Sequence, residues 1–86
     1  MEVTETKVTK INIQCAGEEP FFNFGKFIKI RCDLGMHTDN MHHCLVCGRK
    51  FKDDENIYLV ITDHGNRFVC KECNKKILET LKKEKL

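Results

Sequence analysis

Hydrophobic and polar residues alternate in two short stretches of the first third of the chain. Ile11, Ile13 and Cys15 are separated by single polar residues, and the same pattern recurs over residues 28–32. A period of two predicts strands with one buried face, because successive side chains of a strand point to opposite faces of a sheet. Residues 1–33 are therefore predicted to form an N-terminal β-hairpin or small sheet, with a long connection containing glycine and proline between the two strands.

The second half of the chain changes from a strand pattern to a helix pattern. Residues 57–62 are rich in β-branched and aromatic side chains, and the turn formers of residues 63–66 separate them from a shorter run at 67–69. This arrangement predicts a β-hairpin. From Cys73 onward, apolar residues recur every four positions among lysines, which predicts an amphipathic helix that ends near Lys85.

Three parts follow from these patterns. We predict an N-terminal β segment at residues 1–33, an aperiodic linker at 34–43 and a hairpin–helix unit at 44–86, which together give an α+β fold. A chain of 86 residues buries only a marginal core. Domains of this size usually need disulfides, a metal ion or oligomerisation to be stable.

Cysteine is the one extreme feature of the composition, with six residues in the chain. The formal net charge of +2 is too small to indicate nucleic-acid binding by itself. The N-terminal residues show no apolar run after a basic start, and no stretch approaches the ~18 apolar residues of a membrane span. We therefore expect a cytoplasmic protein with reduced thiols and no membrane segment, for which metal binding is favoured over a disulfide framework.

Four of the cysteines form two Cys-x2-Cys pairs separated by residues 48–69. Four thiolates close the coordination sphere of one tetrahedral ion, and Gly48 suits the tight turn after the first pair. The second pair begins the predicted helix, where free amides and the positive end of the dipole are expected to lower the thiol pKa. One structural Zn²⁺ is predicted, with iron as an open alternative. The ligands would be Cys44, Cys47, Cys70 and Cys73.

The two remaining cysteines, Cys15 and Cys32, are expected in the core, because the alternation places both on inward faces. In an antiparallel hairpin they would lie ~13 Å apart, too far for a disulfide or a shared metal. A parallel arrangement would reverse that conclusion. The histidines are expected outside the coordination sphere, since four cysteines fill it: His37, His42, His43 and His64.

Residues 44–83 resemble the treble-clef class of zinc fingers. In that class a knuckle with one cysteine pair is followed by a hairpin and then by a helix that carries the second pair. A zinc ribbon carries both pairs on knuckles, and the helical pattern from Cys73 argues against it. The first pair, and the Phe-Val-Cys-x2-Cys run that begins at Phe68, are also similar to the short zinc-binding anti-sigma factors of the Gin type. Those proteins have a shorter gap between their pairs. The resemblance implies a role in transcription control.

The first functional hypothesis is a non-enzymatic zinc module that binds another protein in a regulatory role. A site closed by four protein ligands is typical of structural zinc. The candidate contacts are a phenylalanine cluster and the apolar stripe of the C-terminal helix: Phe21, Phe22, Phe24, Phe27, Ile77, Leu78, Leu81 and Leu86. The alternative for the phenylalanines is a core position, which a short chain requires of most of them. The oligomeric state stays open.

Two further hypotheses compete with protein binding. The first is nucleic-acid binding by the lysine-rich helix, although glutamates interleave with its lysines. Its candidate residues are Lys71, Lys75, Lys76, Lys82 and Lys83. The other is a remnant of the HNH nuclease group. Residues 63–66 and 70–76 resemble parts of the motif of that group. No histidine follows His64, so a catalytic metal with a positioned base cannot be assembled, and we expect no enzymatic activity.

Overall fold

The fold combines an antiparallel sheet with two helices. A computed structural model describes residues 1–4, 10–38 and 41–84. The described elements, in chain order, are β1 (Glu2–Thr4), β2 (Lys10–Ala16), β3 (Phe22–Asn23), α1 (Phe24–Asp33), β4 (Asn56–Thr62), β5 (Gly65–Val69) and α2 (Lys71–Glu84). The predicted α+β class is confirmed. Neither of these two helices has the length and apolar character needed to cross a bilayer.

The sheet is built around β4. The C-terminal part of β4 pairs with β2, and its N-terminal end pairs with β3. Residues 58–62 of β4 also pair with β5. β1 extends the sheet by pairing with β2, and all four of these pairings are antiparallel. The predicted hairpin is confirmed, because β4 and β5 are joined directly by a turn at Asp63 and His64. The β-branched and aromatic side chains of β4 suit a strand with neighbours on both edges.

A single cluster of buried side chains joins the sheet to α2. Ile77 of α2, Val60 of β4 and Ile13 of β2 belong to this core. Each side chain of this size contributes about 1.5–3 kcal/mol when it leaves water. α2 confirms the predicted amphipathic helix, whose expected end near Lys85 lies outside the described residues.

The prediction of a second strand over residues 28–32 is wrong, because this stretch belongs to α1. Asn23 caps the helix: its Oδ1 accepts a hydrogen bond from the backbone N–H of Lys26 at 3.1 Å. Asparagine is among the preferred N-cap residues because it satisfies an amide that the first turn leaves free. The cap therefore begins a helix immediately after the two residues of β3.

Helical spacing competes with alternation in this part of the sequence. Phe24, Phe27 and Ile28 recur at intervals of three and four, which places them on one side of a helix. Phe24 is buried, and Phe27 and Ile28 pack against the core. A five-residue alternation is too short to distinguish a strand from one side of a helix, and burial of Phe24 favours the helix.

The prediction that Cys15 and Cys32 lie in the core is also wrong, since both are exposed free thiols. The register of β2 shifts between Ile13, opposite Thr62, and Cys15, opposite Ile61. This irregularity places an extra residue in β2, which turns Cys15 to the face opposite Ile13. Cys32 lies on the exposed side of α1, so the predicted pairing of two cysteine-bearing strands does not exist.

Strands from both ends of the sequence share the sheet. β1, β2 and β3 come from residues 1–33, whereas β4 and β5 come from residues 44–86. The buried side chain of Asn74 in α2 also joins the two parts, because its Nδ2 donates to the carbonyl of Gly17 at 2.8 Å. The division at residues 34–43 stays a prediction.

The first turn of α1 lies against the loop before β4, at a position where a side chain would not fit. The Gly25 N–H donates to the carbonyl of Asp53 at 3.0 Å, and a Cβ on Gly25 would lie 2.6 Å from that oxygen. We expect Gly25→Ala to lower the free energy of unfolding by about 1–3 kcal/mol, because one backbone segment must shift. Urea denaturation at fixed protein and zinc concentrations measures the change.

Gly17→Ala is the matched control. Its Cβ would meet no atom closer than 3.8 Å, so its free energy of unfolding should equal or slightly exceed that of the wild type. Equal destabilisation by the two substitutions would contradict the proposed steric origin.

Candidate metal centre

The first cysteine pair lies on a tight turn that a glycine closes. The Gly48 N–H donates to the carbonyl of Cys44 at 2.9 Å, and Gly48 has a φ of +74°. This left-handed conformation favours glycine, as the sequence predicted. The Cys44 N–H donates to the carbonyl of Arg49 at 2.8 Å. The chain therefore reverses direction, which brings the sulfurs of Cys44 and Cys47 close together.

The second pair lies at the junction of β5 and α2. Cys70 precedes α2 directly, and Cys73 lies in its first turn. The Asn74 N–H donates to the carbonyl of Cys70 at 2.9 Å, which closes that turn. The Cys70 N–H donates to Cys44 Sγ at 3.4 Å. A backbone amide that points at sulfur stabilises the thiolate form, and here it links the two pairs directly.

The four sulfurs form one cluster. They all lie within 4.8 Å of one another, and Cys47 Sγ lies 3.9 Å from Cys70 Sγ. A tetrahedral zinc ion with Zn–S bonds of about 2.3 Å separates its sulfurs by about 3.8 Å. Cys44, Cys70 and Cys73 are buried, whereas Cys47 is exposed. The donor set and its spacing fit one metal ion held by a loop and the start of a helix.

Burial and hydrogen bonding act differently on these thiols. Burial raises the pKa of the Cys73 thiol and of the Cys70 thiol. In the absence of a metal ion, desolvation therefore outweighs the lowering that the helix N-terminus was expected to cause. A hydrogen bond from the Arg49 backbone lowers the pKa of Cys47. Because thiols with a raised pKa keep their protons at neutral pH, a bound metal ion must displace them.

A bidentate ion pair braces the segment that follows the first pair. Arg49 donates from its two terminal nitrogens to the Glu55 carboxylate at 2.9 and 2.8 Å. Glu55 also accepts from the Lys52 N–H at 2.7 Å. These contacts, with that of Arg49 foremost, hold the pKa of Glu55 below its usual value. The ion pair fixes the path from the cysteine turn to β4, and sequence analysis missed it because the partners are not neighbours in a regular element.

The predicted protein contacts divide into buried and exposed residues. Phe24 and Ile77 lie in the core, which removes them from the predicted contact surface. Phe21 and Phe22 are 45% and 40% exposed. Three further candidates are partly buried: Phe27, Leu78 and Leu81. Leu86 lies outside the described residues. The candidate nucleic-acid contacts are all exposed: Lys71, Lys75, Lys76, Lys82 and Lys83.

The cysteine cluster contains no histidine among the described residues. The ring of His42 instead packs edge-on against Phe24, with centroids 5.6 Å apart, and its Nε2 lies 3.1 Å from Thr38 Oγ1. His64 is exposed in the hairpin turn, where the sequence placed it. The described site therefore uses sulfur alone.

Sequence analysis did not anticipate how the phenylalanines meet across the fold. The ring centroids of Phe21 and Phe27 lie 5.6 and 5.0 Å from that of Phe68 in β5, and the Phe22 ring lies 6.3 Å from Phe27. These four residues are called the aromatic cluster below. The close spacing of three of them along the chain was the available signal, but Phe68 joins them only through strand pairing.

Comparison with protein-family models, curated proteins and solved structures finds no match to this chain. The resemblance of residues 44–83 to treble-clef zinc fingers is thus limited to cysteine spacing and the order of the elements. Function must be inferred from the geometry of the cysteine cluster and from the surfaces around it.

Loss of a clustered cysteine should abolish metal binding, whereas loss of an exposed cysteine elsewhere should not. We expect one zinc ion per wild-type chain and none in Cys73→Ser, which should also lose its hairpin and helix signals, because structural zinc supplies much of the folding free energy of a small module. Elemental analysis and far-ultraviolet circular dichroism measure the two effects. Cys32→Ser is the control and should keep both metal and spectrum. A Cys73→Ser protein that stays folded without zinc would contradict the prediction.

Ligation by thiolates predicts a steep pH dependence of zinc binding. Cys70 and Cys73 hold their protons through the neutral range and release them to the solvent when metal binds, so affinity rises as pH rises. Two released protons imply a gain of at least about 100-fold per pH unit between pH 6 and 7.5. Competition against a chelator of known proton affinity measures the slope, and Cys15→Ser should not change it. A gain of less than tenfold per unit would contradict this reading of the two thiols.

Proposed function

We propose that the chain is a non-catalytic protein-interaction module of the treble-clef type, held together by one structural zinc ion. The observation that carries this proposal is the cluster of four cysteine sulfurs contributed by a turn and a helix start. Four protein ligands leave no coordination position for substrate or water, which is the pattern of structural zinc. Zinc is favoured over iron because it suits a redox-inert structural role in four-sulfur sites.

The absence of histidine from the described cluster also argues against nuclease chemistry. An activated water needs an open metal position and a base placed beside it. His64 stands beside Asp63 with a separation of 4.0 Å, but this exposed pair lies at the far end of the β4–β5 hairpin from the junction that carries Cys70. The similarity to the HNH motif is therefore limited to the order of residues in the sequence and does not extend to a catalytic metal site.

A protein partner is favoured by the aromatic cluster. Phe21 and Phe22 stay substantially exposed, even though Phe27 contacts both and Phe68 contacts Phe21. Exposed aromatic side chains with fixed orientation are frequent anchors of protein interfaces, because they bury a large area and lose little conformational entropy. Nothing in this arrangement requires a small-molecule substrate. Regulation by binding another polypeptide, transcription control included, is consistent with such a surface.

Nucleic-acid binding is less well supported. The five lysines of α2 are exposed. Around the helix, however, Glu72 and Glu79 separate Lys71 and Lys75 on one side from Lys76 on the other. Phosphate binding normally requires a continuous basic stripe. Here acidic side chains interrupt it.

Site-specific photo-crosslinking tests the protein-binding proposal. We expect p-benzoylphenylalanine in place of Phe22 to give a discrete crosslinked protein band in cells, and the same group in place of the exposed Lys76 to give none. The band should disappear when the Cys73→Ser substitution is added, because the surface depends on the zinc-stabilised fold. Equal labelling from both positions, or none from Phe22, would count against the proposal.

A gel-shift titration at two salt concentrations separates the nucleic-acid alternative. Under the proposal the full chain should not shift duplex or single-stranded DNA or RNA even at low salt. Salt-sensitive binding that Lys75→Glu abolishes would instead support the alternative, since phosphate contacts weaken steeply with salt.

A further inference from the structure

One residue of the cysteine cluster is open to solvent, whereas the other three are enclosed. Cys44, Cys70 and Cys73 expose only 2%, 3% and 6% of their surface. Cys47 is exposed, as are its neighbours on the turn, Val46 and Gly48. A Cβ placed on that glycine would meet no atom within 4 Å, so the space beside the turn is open as well. A small dissolved reagent therefore reaches the cluster through Cys47.

A second sulfur of the cluster lies close to the exposed one. Cys47 Sγ is 3.9 Å from the Sγ of Cys70, which directly precedes α2. A disulfide bond is about 2.05 Å long, so the two sulfurs must approach each other by roughly 2 Å to form one. Cys47 lies on an exposed turn outside the sheet and the helices. A turn accommodates a displacement of this size more readily than a strand or a helix does.

Exposure and the nearby sulfur together indicate a reaction with peroxide. Hydrogen peroxide oxidises cysteines that are deprotonated and accessible, and a neighbouring thiol then completes a disulfide. A metal-bound cysteine has already lost its proton. With metal bound, the cluster therefore presents one accessible thiolate, that of Cys47, beside a second thiolate that is shielded from solvent, that of Cys70.

We propose that the cysteine cluster is a peroxide-reactive site, in which Cys47 is oxidised first and then forms a disulfide with Cys70. In the first step the Cys47 thiolate attacks an oxygen of hydrogen peroxide, so that an S–O bond forms, the O–O bond breaks and hydroxide leaves. In the second step the Cys70 thiolate attacks the sulfur of the resulting sulfenic acid. The S–S bond forms, the S–O bond breaks and a second hydroxide leaves. The two sulfurs together lose two electrons, which the peroxide accepts.

The disulfide removes half of the metal ligands. Cys44 and Cys73 alone do not fill a tetrahedral coordination sphere, so oxidation releases the ion. The new bond still joins the cysteine turn to the start of α2, because its two sulfurs come from these two segments. Oxidation thus replaces one cross-link by another, and reduction restores the original site. The proposal rests on the structural zinc ion of the proposed function and adds an oxidant that regulates its binding.

Peptide mapping in a background without other exposed cysteines tests the order of oxidation. The parent variant Cys15→Ser/Cys32→Ser keeps the four clustered cysteines and should bind one zinc ion per chain. The zinc-loaded variant is treated with one equivalent of hydrogen peroxide, and its remaining thiols are alkylated. It is then digested with trypsin without reduction. Zinc released during oxidation is measured with a chromogenic chelator.

The digest distinguishes the possible disulfides. Cleavage after Lys71 separates Cys70 from Cys73, and fragmentation of the peptide that contains both cysteines of the first pair identifies the oxidised one. We expect the first disulfide to join Cys47 to Cys70. One zinc ion should be released for each disulfide formed and should bind again after reduction.

Cys47→His, made in the same background, is the matched variant for the exposed sulfur. Histidine replaces one cysteine ligand in many zinc sites, so this variant should keep the ion while it loses the accessible thiolate. Its release of zinc by peroxide should be slower than that of the parent variant by at least about 10-fold. Zinc content and circular dichroism before oxidation show whether it is loaded and folded. The peptide map of the parent variant tests the disulfide independently of this substitution.

Three results would overturn the proposal. These are a first disulfide other than that between Cys47 and Cys70, a zinc-loaded Cys47→His variant that releases zinc as fast as the parent, and a parent variant that retains zinc in excess peroxide. A chain that binds one zinc ion and crosslinks through position 22, but resists peroxide, would refute the redox reaction and leave the proposed function standing. A reduced chain that binds no zinc would refute both.

Discussion

The convergence of four sulfurs is the constraint on which the rest of the structure depends. It joins the turn at residues 44–48 to the start of α2, although the whole β4–β5 hairpin separates these two segments along the chain. The Cys70 N–H donates to Cys44 Sγ, so the backbone just before α2 points at a sulfur of the first cysteine pair. Fixing α2 in this way places Ile77 over the sheet, so the core and the cysteine cluster depend on the same geometry.

Burial of three of the sulfurs has opposing consequences. It raises the pKa of Cys70 and Cys73, which makes the unpaired thiolate costly and the metal-bound thiolate comparatively favourable. The exposed Cys47 escapes this cost. The Arg49–Glu55 ion pair stabilises the same region from outside, because it fixes the segment that leaves the cysteine turn. A site assembled from a loop needs such support, since loop backbone has few contacts of its own.

The sequence predicted those features that depend on short-range spacing. The cysteine pairs, Gly48, the β4–β5 hairpin and α2 each follow from residues close together in the chain. The errors concern features that depend on remote pairing. The alternation over residues 28–32 predicts a strand where α1 forms, because five alternating residues cannot exclude a helix. Burial of Phe24 against Phe51 favours the helix. The alternation predicts a core position for Cys15, because it cannot reveal the register shift after Ile13.

The same register shift connects the fold to its surface. Without it, Cys15 would continue the buried series of Ile11 and Ile13. With it, Cys15 turns to the face opposite the buried Val60 and, with Ile61, lines a groove of about 330 Å³. β4 then carries apolar side chains on both faces, of which α2 covers one. The described residues form no third helix that could cover the other face, which α1 and the aromatic cluster cover only in part. Apolar area remains exposed because β4 is hydrophobic on both faces, whereas α2, the helix that begins at the cysteine cluster, covers only one of them.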